Sequence, residues 1–226
     1  MKKHLKTTLL FAVCIAFTIM AKAQKVIKEG VVTYTVEYDL PPNQQSMAAM
    51  LPKEFKVNFK GNYSQFKMDM GMFSTLIILD NNTNETLTLT DVPMQNKKIA
   101  VKMNQSEAEQ MREMQSGEQD YDVTETTETK KIAGYNCKKY ILKDKAEGSE
   151  TELWATTEIQ IPASALTSSI KKINGVPVAF SNKANGMHTK LTLKSISEES
   201  VPDINLTIPA GYETMDFKDL MSKMGG

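Results

Sequence analysis

The chain has two cysteines, two histidines and one tryptophan in 226 residues. Cys14 and His4 fall in an N-terminal stretch that reads as a secretion signal, so the exported chain keeps Cys137 and His188. A lone cysteine cannot make an internal disulfide. One cysteine and one histidine fall short of a Cys/His zinc site. Any Ser-His-Asp or Cys-His relay would have to use His188 alone. There is no Gly-rich phosphate loop, no HExxH helix, no repeat and no Pro/Gly/Ser-rich linker. The acidic runs at Glu125/Glu128 and Glu198-Glu199 lie on strand patterns whose alternation gives them a solvated face. No catalytic residue, metal ligand or cofactor is expected, and the chain reads as a non-enzyme.

Positive charge is not in excess either. Lys2, Lys3 and Lys6 precede the uncharged run Thr7–Ala21, and Ala21-Lys22-Ala23 has the small-x-small pattern of a cleavage site. Cleavage is expected between Ala23 and Gln24, giving a periplasmic or secreted protein. Val13 before Cys14 and the apolar IAFTIM after it argue against a lipoprotein. The remaining 203 residues carry 23 basic and 27 acidic side chains, a net −4, with the lysines scattered. That balance speaks against nucleic acid as a partner. No transmembrane segment is expected after cleavage, and 24–226 reads as one domain.

What is present is a succession of strands and turns. GVVTYTVEYD (30–39) alternates, with Val32, Tyr34, Val36 and Tyr38 on one side. In 54–73, Gly61-Asn62 suits a two-residue hairpin turn in which Lys60 faces Tyr63, Val57 faces Phe66 and Phe55 faces Met68. Strand periodicity then sets Phe55, Val57, Phe59, Phe66, Met68, Met70 and Met72 on one face. STLIILD and ETLTLT form a second hairpin with Leu76 and Ile78 beside Leu87 and Leu89, and KKIAVKM alternates again. Hairpins are also expected at Ala133-Gly134 and Asn185-Gly186, with DINLTIP as a last strand. Helices are expected at 45–51, from the capping box Ser106-x-x-Glu109 to about Gln115, over 161–173, and in the tail DFKDLMSKM. The sum is eleven or twelve strands and three or four helices, a mainly antiparallel α+β meander.

Methionine is abundant, at 15 residues, 13 of them after the signal. The run KMDMGMF places it at 68, 70 and 72. Thioether sulfur suits Cu(I), but at about 3.3 Å per residue Met68 and Met72 stand roughly 13 Å apart along a strand. A row on one face makes a wall more readily than a point. Ordinary core and the wall of a cavity are the other readings, because methionine adapts to varied apolar shapes. Cys137 reads as a small buried hydrophobe, His188 as solvated, and Trp154 as packing across its hairpin against Ile141.

The run KKIAGYNCKKY (130–140), with GVVTYTVEYD, ETELWATTEI, IPASAL and TIPAGYETMD, resembles an exported Bacteroidota family. It is catalogued as domain of unknown function number forty-four-twelve, and the resemblance extends from about Gly30 to Asp216. It implies the fold of periplasmic lipoprotein carriers: a strongly bent, unclosed antiparallel half-barrel of about eleven strands, with short helices plugging the concave face over an apolar cavity. Taken with the residue pattern, it leads to the expectation of a binder of an apolar small molecule or lipid. Phe55, Val57, Phe66, Met68, Met70 and Met72 would line the sheet side, and Met47, Met50, Met111 and Met114 the helical plug. The alternatives are a methionine-rich Cu(I)-binding or oxidant-absorbing protein, and a structural module of the cell envelope.

Overall fold

The computed structural model describes residues 24–42, 45, 48, 51–116, 120–146, 148–184 and 187–224. The first half is a strand meander: β1 (Lys25–Val26), β2 (Glu29–Asp39), β3 (Glu54–Lys60), β4 (Tyr63–Asp69), β5 (Ser74–Asp80), β6 (Thr86–Val92) and β7 (Lys97–Met103). Helix α1 (Gln105–Ser116) leads to the second half: β8 (Tyr121–Ile132), β9 (Tyr135–Asp144), β10 (Glu150–Thr156), β11 (Ile159–Gln160), β12 (Val176–Ala184) and β13 (Met187–Ser197). The short β14 (Glu213–Thr214) and helix α2 (Phe217–Met224) follow.

Twelve strands form one unclosed sheet in the order β14-β7-β6-β5-β4-β3-β2-β13-β12-β10-β9-β8. All neighbours are antiparallel except β14 on β7, and β1 pairs with β11 in a separate parallel ribbon. The two meanders join where β13 pairs with β2, at the middle of the sheet. Curvature follows from α1, which packs against both β7 and β12. These strands are seven places apart in the order, about 34 Å in a flat sheet at 4.8 Å per strand. A helix of twelve residues is only about 18 Å long, so the sheet curls round it.

Registers agree with the pattern in most hairpins. Lys60 faces Tyr63 and Val57 faces Phe66. Leu76 faces Leu89, Ile78 faces Leu87, and Ile132 faces Tyr135 across Ala133-Gly134. Alternation then makes two cores. Val32, Tyr34, Val36, Phe55, Val57, Phe59 and Phe66 are buried on the concave side with Phe180, Leu191 and Leu193. Ile78, Leu87, Leu89 and Ala100 are buried on the opposite face under Val201 and Ile204.

Several expectations are corrected. The β3–β4 ladder stops at Val57 and Phe66, so Phe55 and Met68 are not paired. DINLTIP is an extended strap without ladder bonds. Pro202 and Pro209 lack the N–H a ladder needs, and the segment lies over the sheet's outer face, where burial of Ile204, Leu206 and Ile208 holds it. The capping box sits two residues early. Asn104 Oδ1 accepts the Glu107 N–H at 3.1 Å, and the Glu107 carboxylate accepts the Asn104 N–H at 2.9 Å; asparagine caps as well as serine. Segment 161–173 is a chain of turns, not a helix. There the Ser164 N–H donates to Thr167 Oγ1 at 3.0 Å and the Leu166 N–H to Ser164 Oγ at 3.3 Å. Hydroxyls that bond nearby backbone compete with the helical ladder. The helix expected at 45–51 and the turn at 185–186 lie on residues outside those described, except Gln45, Ala48 and Leu51. Trp154 faces Lys139, not Ile141, which faces Glu152; the Lys130 ammonium lies 4.0 Å from the Trp154 ring centroid.

Candidate functional site

Between β12 and the ribbon strand β11 the chain runs as a second strap, residues 161–175, across the concave face. Below it lies a cleft of about 160 Å³. The sheet contributes Val32, Tyr34, Val57 and Phe59, and the strap contributes Ile161, Ile170 and Ile173. The sheet side is apolar because β2 and β3 alternate in phase: Val32 faces Val57 and Tyr34 faces Phe55 across their ladder.

The strap is fastened at a few points. Asn81 Nδ2 donates to the Ala163 carbonyl at 3.1 Å. The Tyr140 hydroxyl lies 3.2 Å from the Asn174 carbonyl and 3.0 Å from the Glu125 carboxylate, its one proton shared between the two acceptors. Lys171 pairs with Glu109 of α1 at 2.7 Å. The strap then turns into β12 at Gly175, where φ is +108° and a Cβ would lie 2.4 Å from the Thr156 carbonyl oxygen. Only glycine fits both demands. Beyond it, the Tyr34 hydroxyl donates to the Pro177 carbonyl at 3.1 Å. Ser164 and Thr167 hydrogen-bond each other and nearby backbone, and both border the cleft beside the hydrocarbon of Val32, Val57, Phe59, Ile170 and Ile173.

The methionine wall does not form as the pattern suggests. Met68 packs against the concave core, but β4 ends at Asp69. The chain then turns, with the Met72 N–H donating to the Met70 carbonyl at 2.9 Å and Gly71 at φ +76°. Met70 is half-buried and Met72 is 67% exposed. The glycine that separates two of the methionines lets the strand stop. Phe55 and Phe66 are buried, in an edge-to-face contact at 5.1 Å, and of the expected lining residues Val57 alone borders the cleft. Met47 and Met50 lie outside the described residues. Met111 is buried with Met103, Met215 and Phe217 where α1 and α2 meet β7, whereas Met114 is 49% exposed. Each three-residue step on a helix falls about 60° short of a full turn, so the stripe through Ala108 and Met111 has moved off by Met114.

The remaining candidates, Cys137 and His188, lie on β9 and β13. Cys137 is buried, its thiol donates to the Tyr135 carbonyl at 3.2 Å, and burial pushes its pKa up, away from the reactive thiolate. His188 is exposed on β13 opposite Asp39. Among the described residues no cluster of three His, Cys, Asp or Glu side chains could hold a metal ion. No described helix is long and apolar enough to cross a membrane. Sequence reading missed the strap. Its apolar residues Leu166, Ile170 and Ile173 stand at helix spacing in the sequence, but the segment folds as turns.

The chain is thus an open, curled antiparallel sheet with a small cleft under an irregular strap. The chain belongs to the family described as Domain of unknown function (DUF4412), whose model matches residues 29–168, from the start of β2 into the strap. No curated protein matches it. Among solved structures it is similar to PNGF-II in its P21 and C2 crystal forms. Identities are 16% and 14% and TM-scores 0.48 and 0.47, over 87% of this chain in both cases. The matches cover 34% and 33% of the PNGF-II chain, so this chain spans about a third of its length.

Proposed function

We propose that the protein is exported and acts without catalysis, binding a small apolar molecule or the end of an acyl chain between the curled sheet and the 161–175 strap. The observation that carries this reading is the cleft itself: about 160 Å³, walled by Val32, Val57, Phe59, Ile170 and Ile173. An apolar cavity of about 150 Å³ holds a benzene-sized guest, whereas sites for larger ligands run to about 300–1,000 Å³. A short hydrocarbon fits as the site stands, and a longer chain requires the strap to lift. The strap suits that role, being outside the ladder and tied by few polar contacts. Native mass spectrometry of the protein from its own cell envelope, with displacement of a fluorescent apolar probe, tests the reading. A retained lipid mass and saturable displacement are expected. A bare polypeptide that takes up no probe overturns it.

A second reading, sacrificial absorption of oxidants, is favoured by the exposure of Met72, Met94 and Met114. Methionine sulfoxide forms reversibly. The shared Cu(I) site finds no such support, since Met68 turns to the core and Met72 to solvent.

A further inference from the structure

Ser164 and Thr167 stand together at the wall of the cleft. The Thr167 and Ser168 N–H groups both donate to the Ser164 carbonyl, at 2.9 and 2.8 Å, a tight turn that brings the two hydroxyls to each other. Their oxygens lie 3.3 Å apart. Each also accepts a strap N–H: Thr167 Oγ1 from Ser164 at 3.0 Å, and Ser164 Oγ from Leu166 at 3.3 Å. Both residues border the cleft beside Val32, Val57 and Phe59, and Ser164 is only 5% exposed.

This pair holds one proton too many. A hydroxyl carries a single donor and two acceptor lone pairs. Whichever oxygen donates across the gap, the other keeps an O–H with no acceptor among the described residues. The polar groups nearby are engaged elsewhere. The Tyr34 hydroxyl donates to the Pro177 carbonyl, and the Ala163 carbonyl accepts from Asn81 Nδ2. Buried donors are left orphaned less often than acceptors, so the group this site lacks is an acceptor. A guest that fills the cleft without one shuts the O–H away from solvent unpaired, at a cost of about tenfold in affinity.

We propose that the cleft selects an apolar molecule carrying one acceptor oxygen, of the ketone, aldehyde or ester class. Its carbonyl takes the unpaired proton of the Ser164–Thr167 pair, and its hydrocarbon lies on Val32, Val57 and Phe59. The inference rests on the apolar-ligand reading and names the ligand class within it. Size agrees with this choice, since a cleft of about 160 Å³ suits a single small ring.

The test sets cyclohexanone, labelled with carbon-13 at the carbonyl, against methylenecyclohexane, which has the same shape without the oxygen. Both are expected to bind the exported chain. The bound carbonyl resonance should lie downfield of its position in hexane, the signature of an accepted hydrogen bond. In the Ser164→Ala/Thr167→Val double variant, ketone affinity should fall about tenfold and the resonance should return toward the hexane position. Methylenecyclohexane should bind that variant no more weakly than the parent. Thr167→Ser retains the hydroxyl and should retain both the ketone affinity and the shift. A double variant that loses both ligands has lost its strap, and the resonances of the parent and of Thr167→Ser then decide. A parent carbonyl at its hexane position, a downfield resonance that survives in the double variant, or binding of methylenecyclohexane alone overturns the hydroxyl pair and leaves apolar binding standing. Binding of neither ligand to the parent overturns both.

Discussion

The Tyr34 hydroxyl donates to the Pro177 carbonyl oxygen at 3.1 Å, joining the middle of β2 to the point where the strap becomes β12. The ring is buried edge-on against Phe180 at 5.6 Å, and burial holds the phenol far above its ordinary pKa, so it remains a neutral donor. Tyr34→Phe keeps the packing and leaves the carbonyl unpaired. The expected cost is about 1 kcal/mol in urea unfolding. Amide hydrogen exchange should quicken in 161–177 more than elsewhere. Uniform acceleration over the whole sheet would mean that the bond supports global stability and does not hold the strap.

The methionines should separate by environment under oxidation. Met72, Met94 and Met114 are 67%, 87% and 49% exposed, while Met103, Met111 and Met215 are buried around β7. Limited hydrogen peroxide followed by peptide mass mapping should find sulfoxide first at the exposed three, with thermal stability unchanged. Oxidation of the buried three should come later and together with loss of stability, because a polar sulfoxide disrupts an apolar cluster. Early sulfoxide at Met111 would contradict the packing of α1.

Much of the sheet was legible in the sequence because period-two burial and two-residue turns are local signals. Val32, Tyr34, Val57, Phe59 and Phe66 lie on the face their alternation assigns, in the register that Gly61-Asn62 sets. The site was less legible, since it depends on where regular structure stops. Gly71 ends the strand that would have carried Met70 and Met72 inward. Ser164 and Thr167 spend their hydroxyls on local backbone, so the helix-like spacing of Leu166, Ile170 and Ile173 folds as a strap. The parallel ladders β1–β11 and β14–β7 are two residue pairs each, set by docking of distant segments with no local pattern to announce them.

Gly175 is the most constrained point of the strap. Gly175→Ala would combine an unfavourable φ of +108° with a Cβ 2.4 Å from the Thr156 carbonyl oxygen. A loss of about 2 kcal/mol or more is expected in chemical denaturation. Gly61→Ala is the control. It is also at positive φ, +60°, but has open space around its Cβ position, so only the backbone term of about 1 kcal/mol applies. Equal losses at both sites would show that the carbonyl gives way and that the junction is softer than its geometry implies.

Stability should be flat from about pH 5 to 8 and decline on both sides. On the acid side, a hydrogen bond from the Val201 N–H holds Glu29 below its ordinary value. Lysine hydrogen bonds do the same for Glu54, Glu109, Asp120, Glu125, Glu152 and Asp203. A carboxylate lowered on folding contributes in full above its unfolded pKa, and that contribution fades as pH falls through the folded value. These pairs are exposed, so the acid limb should be gradual and should shrink in high salt. On the alkaline side the sign reverses. Burial raises the Cys137 thiol above its ordinary 9.0 and the Tyr34 phenol above its ordinary 10.0. Their contribution is whole below those unfolded values and is lost as pH rises past them. Thermal melts across this range should therefore show the alkaline decline beginning near pH 9, and Cys137→Ala should delay it toward the tyrosine value. An alkaline limb unmoved by that substitution would assign the decline to Tyr34 and the surface lysines instead.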